Sequence, residues 1–210
     1  MNNIYSVYLV TDTDMCPREN LLTVVGEAIR GGVTMVQLRE KDISTREFYA
    51  EALALKKLCG ENNVPLIIND RVDIALAVDA EGVHIGQSDM PIAVARRILG
   101  ENKIIGLSAG NATEALEAVR GGADYLGVGA VFHTATKKDA KDVGIDMLRR
   151  VRAAASIPIV GIGGINTENI DKLFGIGIDG IAVVSCIMAS ENPYAAAKTL
   201  SDKTKFLAVR

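Results

Sequence analysis

Short, nearly continuous apolar runs recur along this chain, each followed by glycine or polar residues and then by an amphipathic stretch. Eight such runs stand out: YSVYLV, VTMVQL, VPLIIN, EGVHIG, NKIIGL, ADYLGVG, IPIVGIG and IDGIAVVS. Runs this short and this evenly apolar are the pattern of parallel strands buried on both faces. The segments between them predict helices. Leu22, Val25 and Ile29 fall at helical spacing in ENLLTVVGEAIRGG, as do Phe48, Ala52, Leu55 and Leu58–Cys59 in TREFYAEALALKKLC. Gly31–Gly32, Gly60, Gly100 and Gly121–Gly122 are predicted helix stops, where a left-handed backbone favours glycine. Thr113 after Asn111, and Asn166–Thr167 ahead of NIDKLF, are predicted amino-terminal caps.

The phrases IRGGVTMVQL, VRGGADYLGV and FGIGIDGIAV form a weak internal repeat of helix end, glycine turn and strand. Eight strand–helix units of about 25 residues each predict an α/β fold, a single-domain (β/α)8 TIM barrel spanning 1–210. A doubly wound sheet is the runner-up, but it rarely uses eight such even units. The length of 210 residues suits one domain, and 49% hydrophobic residues exclude a disordered chain.

Net charge and residue counts narrow the chemistry. A net charge of −3 argues against the basic stripe of a nucleic-acid binder. Cys16, Cys59 and Cys186 form no CxxC pair and point to a reducing compartment. The amino terminus lacks a basic n-region, and nothing approaches the ~18 apolar residues of a membrane span. The expectation is a cytoplasmic protein with no nucleic-acid partner and no membrane, with a homo-oligomer left as an option. Two histidines cannot furnish a His-rich zinc site.

In a barrel of this kind the active site lies where the strands end. Polar residues follow nearly every run: Gln37, Arg39, Glu40 and Lys41; Asn69, Asp70 and Arg71; Gln87, Ser88 and Asp89; Ser108; Thr134, Thr136, Lys137 and Lys138; Gly163–Gly164; and Ser185. Asp70 and Asp89 end neighbouring strands, so their carboxylates can converge on one hard cation; each can equally cap the helix that follows. Arg39, Lys41 and Lys137 suit a diphosphate bridged by a metal, or else a solvated, charged rim. VGIGGIN fails as a dinucleotide fingerprint, because Asn166 stands where the third glycine belongs. It suits a barrel phosphate site shared with Val184–Ser185, or simply close packing. His84 reads as a satisfied structural histidine, His133 as a loop residue near the substrate, and Cys186 as packing.

The strings QLREK (37–41), NDR (69–71), GVHIGQSD (82–89), GLSAGN (106–111), TATKKDA (134–140), VGIGGI (160–165) and VVS (183–185) resemble thiamine-phosphate synthases, in order and at family-like spacing. The resemblance implies a transferase joining hydroxymethylpyrimidine diphosphate to a thiazole phosphate that is carboxylated in some cases. By matching position, Gln37, Leu38, Arg39, Glu40, Lys41, Asn69, Ser108 and Lys137 would hold the pyrimidine diphosphate, with Arg39, Lys41, Ser108 and Lys137 as the catalytic set. Asp70 and Asp89 would bind Mg²⁺, and Thr134, Ala135, Thr136, Gly164, Val184 and Ser185 the thiazole phosphate. The family reaction expels diphosphate to leave a pyrimidine carbocation, which the thiazole nitrogen attacks; it needs no protein nucleophile. The related thiazole tautomerases resemble GHVF at the sixth strand, whereas this chain has GAVF with Ala130. His133 departs from the proline frequent in the synthases. A thiazole tautomerase-like paralogue, or a non-catalytic binder of thiazole phosphate, is the alternative. The segment 131–143 is expected to act as a lid.

Overall fold

The computed structural model describes residues 3–134 and 143–207, and its strands fall inside the apolar runs, with β5 alone running one residue past its run to Ser108. They are β1 (Val7–Val10), β2 (Met35–Leu38), β3 (Leu66–Asn69), β4 (Gly82–Ile85), β5 (Ile104–Ser108), β6 (Tyr125–Val128), β7 (Ile159–Ile162) and β8 (Gly180–Val183). Each pairs in parallel with the next, and β8 pairs with β1 to close the barrel in chain order. The helices are α1 (Leu21–Gly31), α2 (Thr45–Glu61), α3 (Val72–Ala77), α4 (Ile92–Leu99), α5 (Ala112–Arg120), α6 (Gly144–Ala154), α7 (Ser185–Met188) and α8 (Pro193–Thr204). None of the described helices is long and apolar enough to cross a membrane.

The even repeat breaks in the last two units. After β7 the chain makes only a 3-10 turn, Ile170–Leu173, while β8 is followed by both α7 and α8. Asn166 is the local cause, since its Oδ1 accepts from the backbone N–H groups of Glu168 and Asn169 and turns the chain early. Helix stops behave as expected at Gly32, Gly100 and Gly122, all with positive φ. Gly60 does not: α2 runs on to Glu61, and Asn63 adopts the left-handed conformation. Asn111, not Thr113, caps α5 by accepting from the Glu114 N–H at 3.0 Å.

Side-chain alternation along the strands makes two apolar layers. Leu9, Val36, Leu38, Ile68, Val83 and Leu126 face the helices. Tyr8, Val10, Met35, Ile67, Tyr125, Val160 and Ala182 fill the barrel interior. α1 and α8 cover the seam between β1 and β8, and Gly31 lets them approach. A Cβ there would come within 2.5 Å of the Tyr194 carbonyl oxygen. The buried polar residues of the described chain, Thr11, Asp12, Gln37, Glu40 and Asn69, gather where β1, β2 and β3 end. Buried polar groups are costly unless partnered, so their gathering marks this end of the barrel as the candidate site.

Candidate active site

Asp70 and Asp89 meet at the mouth, and neither caps a helix. The residue beside α3 in the cap position is Arg71 and the one beside α4 is Pro91; no side chain caps either end. Asp70 follows β3 in the left-handed conformation, φ 59°, held by its N–H donating to the His84 carbonyl at 2.9 Å. That is an uncommon conformation for a residue with a Cβ, and such backbone strain clusters at functional sites. Asp89 Oδ2 accepts from the Gly86 N–H at 2.7 Å, folding the GQSD loop back so that the acid faces Asp70.

The two carboxyls hydrogen-bond each other and titrate as a pair. Burial opposes ionisation of Asp70, but Lys41, Asp89 and Asn69 all hydrogen-bond it and hold its carboxyl below the usual range. Burial lifts Asp89 above that range; the Gly86 N–H works against the lift and the Asp70 charge adds to it. Lys41 Nζ sits 2.6 Å from Asp70 Oδ2.

On the β2 side, Gln37 points inward and donates from Nε2 to the Tyr8 hydroxyl at 2.7 Å. The Arg39 N–H donates to Thr11 Oγ1, and its guanidinium lies 3.8 Å from the Asp12 carboxylate. Two residues of the expected set turn their side chains elsewhere. Leu38 is fully buried in the layer beneath the helices, because strand alternation turns it away from the interior that Gln37 faces. Glu40 directs its carboxylate to Arg18 at 2.8 Å and to Thr13.

His84 points into the barrel, not toward the helices. Its Nδ1 lies 2.9 Å from the Tyr125 hydroxyl and its Nε2 3.0 Å from Ser108 Oγ. Gln87 Nε2 donates to the Ser108 carbonyl at 2.6 Å, tying the β4 and β5 exits together.

Across the mouth, Gly163 and Gly164 both adopt positive φ, 98° and 64°. A Cβ on Gly163 would lie 2.6 Å from Ala130 Cα, and one on Gly164 2.5 Å from the His133 carbonyl oxygen. Close packing against the loop after β6 therefore requires these glycines, whatever else they bind. Val184 and the exposed Ser185 begin α7 beside them. Thr134 is half-buried. Ala135, Thr136 and Lys137, with most of the 131–143 segment, lie outside the described residues. Among the described residues no cluster of three or more His, Cys, Asp or Glu side chains is poised to hold a metal.

Pattern reading did not single out Tyr8, Tyr125 or Asp12. A signal for the first two existed: each occupies an inward strand position, and Gly106 and Gly127 on adjoining strands make room for Tyr125 and His84. Asp12 stands two residues beyond β1 and reads as a strand-ending polar residue.

Compared with known proteins, residues 7–187 match the family model described as thiamine monophosphate synthase. The chain is 55% identical over 199 residues to a thiamine-phosphate synthase of Clostridium beijerinckii, covering 95% of each. It is 57% identical over 188 residues to one from Clostridium botulinum, covering 90% of this chain and 88% of that one. In three dimensions it resembles a thiamine phosphate pyrophosphorylase from Pyrococcus furiosus, with TM-score 0.90, 42% identity and 98% coverage of both chains.

Proposed function

Because the chain belongs to the thiamine monophosphate synthase family, and so condenses a pyrimidine with a thiazole to give thiamine phosphate, we propose how the residues at its mouth divide that work. The observation that carries the reading is the Asp70–Asp89 pair with Lys41 against it: two acids and a cation set to share a diphosphate and a divalent ion.

Gln37, Asn69 and Ser108 hold the pyrimidine ring, while Arg39 and Lys41, with Lys137, take the negative charge that grows on departing diphosphate. Leu38 and Glu40 contribute main-chain atoms. Gly164, Val184 and Ser185, with Thr134, Ala135 and Thr136, hold the thiazole phosphate. Departure of diphosphate leaves a cation on the pyrimidine methylene carbon, and the thiazole nitrogen supplies the electron pair that closes the new C–N bond. The described inventory suits this reaction, since positioning and charge stabilisation are its main demands.

Asp70 and Asp89 fit Mg²⁺, which takes one or two carboxylates and completes its shell with water and phosphate oxygens. When bound, the ion would supply Lewis-acid neutralisation of diphosphate charge. Both substrates are small molecules, and the free thiols of Cys16, Cys59 and Cys186 suit a cytoplasmic setting. An end-point assay with pyrimidine diphosphate, thiazole phosphate and Mg²⁺ tests the reading. Thiamine phosphate and equimolar diphosphate are expected; binding of thiazole phosphate without product would favour the non-catalytic alternative.

A further inference from the structure

Five side chains form one hydrogen-bonded chain through the barrel interior. Gln37 Nε2 donates to Tyr8 at 2.7 Å, Tyr8 and Tyr125 share a bond of 2.9 Å, and Tyr125 meets His84 Nδ1 at 2.9 Å. His84 Nε2 then meets Ser108 Oγ at 3.0 Å. Both ends are residues to which the proposed function assigns the pyrimidine ring, and the middle three link them. We propose that Tyr8, Tyr125 and His84 are positioning residues that couple the amide orientation of Gln37 to the hydrogen-bond polarity of Ser108.

The coupling follows from donor counting. Each hydroxyl has one hydrogen, and a neutral imidazole carries one on either nitrogen. With Gln37 Nε2 toward Tyr8, Tyr8 must donate to Tyr125, Tyr125 to His84 Nδ1, and His84 Nε2–H to Ser108 Oγ. Ser108 then turns its own hydrogen to the mouth as a donor, while Gln37 presents its carbonyl oxygen as an acceptor. Reversal requires the Gln37 oxygen to face Tyr8, and every later bond then reverses with it, leaving Ser108 to donate inward. A mixed arrangement would make one tyrosine hydroxyl accept twice and leave its own hydrogen unpaired in the buried interior, at the cost of an unsatisfied donor. An acceptor at one end and a donor at the other suit a ring that bears an amino group and a ring nitrogen.

The packing supports a built device. Tyr8 and Tyr125 are fully buried and their rings meet edge to face, with centroids 5.9 Å apart. A Cβ on Gly127 would lie 2.9 Å from His84 Cε1, and one on Gly106 would strike the Tyr125 ring. Burial pushes both tyrosine pKa values well above their usual value, so the chain works through hydroxyl orientation and not by ionising.

Nitrogen-15 NMR of the histidines, in the enzyme without substrate, reads the polarity directly. The chain has two histidines, and His133→Gln identifies the His84 signals. Wild type is expected to carry the proton on Nε2. Gln37→Glu, as a carboxylate, only accepts, and is expected to move the proton to Nδ1. In a Tyr8→Phe background the same substitution is expected to have no effect. A wild-type proton on Nδ1, an unmoved tautomer in Gln37→Glu, or an effect that survives Tyr8→Phe overturns the proposal. If Gln37→Glu does not fold, steady-state kinetics of Tyr8→Phe supply the second test. KM for pyrimidine diphosphate is expected to rise roughly three- to tenfold with kcat held within about twofold. A KM unchanged, or one that rises equally for thiazole phosphate, overturns the proposal. The assignment rests on the proposed function, yet the two fail separately: an inert wild type defeats the functional reading and leaves the tautomer result standing.

Discussion

Lys41 Nζ sits 2.6 Å from Asp70 Oδ2, joining the exits of β2 and β3 through one ion pair at the rim of the barrel. Lys41 is half exposed, and pairs of this kind contribute at most about 1 kcal/mol. The pair therefore contributes little to stability. Lys41→Met is expected to leave the midpoint of urea unfolding nearly unchanged while raising KM for pyrimidine diphosphate by about tenfold. Comparing the two measurements on one preparation checks this.

Removing either acid acts on the same centre from the other side. Asp70→Ala and Asp89→Ala are each expected to lower Mg²⁺-dependent diphosphate release by roughly 100-fold or more. The check is diphosphate release with both substrates over a Mg²⁺ series. Full activity in both variants would remove these residues from the metal site.

Glu40 offers a pH signature. Burial, helped by the neighbouring Glu51 carboxylate, lifts its carboxyl above the usual range despite Arg18 and Thr13. A folded pKa above the unfolded one means that the native state holds the proton more tightly. Ionisation of Glu40 therefore costs stability once the pH exceeds the unfolded carboxyl value of about 4.3, and the cost vanishes in acid. Glu40→Gln is expected to be more stable than wild type at pH 7 and equal to it below about pH 4. Urea unfolding at the two pH values decides; a variant that is less stable at pH 7 contradicts the assignment.

Gly164→Ala places a Cβ 2.5 Å from the His133 carbonyl on a backbone with φ of 64°. The expected loss is about 1–3 kcal/mol in thermal unfolding, with a higher KM for thiazole phosphate than for the pyrimidine. Unchanged thermal stability would show that the loop after β6 yields at no cost.

Asn111 gives a purely structural control. Its side chain accepts from the Glu114 N–H, and Asn111→Ala is expected to cost about 0.5–2 kcal/mol in urea unfolding with kcat/KM unchanged.

The eight strands were legible from residue order because a parallel strand buried on both faces needs an unbroken apolar run, and no other local structure needs one so short. The strand-exit placement of Asp70, Asp89, Lys41 and Ser108 follows from the same runs. The glycine stops were legible at Gly32, Gly100 and Gly122, where a left-handed residue is required, and misled at Gly60, where the helix continued by one residue.

Residue order alone left Asp70 and Asp89 open between capping two helices and sharing one cation. The pairing of β3 with β4 excluded capping, since the bond from the Asp70 N–H to the His84 carbonyl crosses between them and turns the two acids together. Strand alternation set Leu38 outward, and the folded barrel gave the Glu40 carboxylate to Arg18 and aimed His84 at Ser108 and Tyr125. Pattern and propensity act over a few neighbouring residues, and they determined which segments are strands and which residues stand at their ends. Side-chain direction at those ends depends on which strand lies alongside and in what register. That is a property of contacts between residues far apart in the chain, and only the folded barrel contains it.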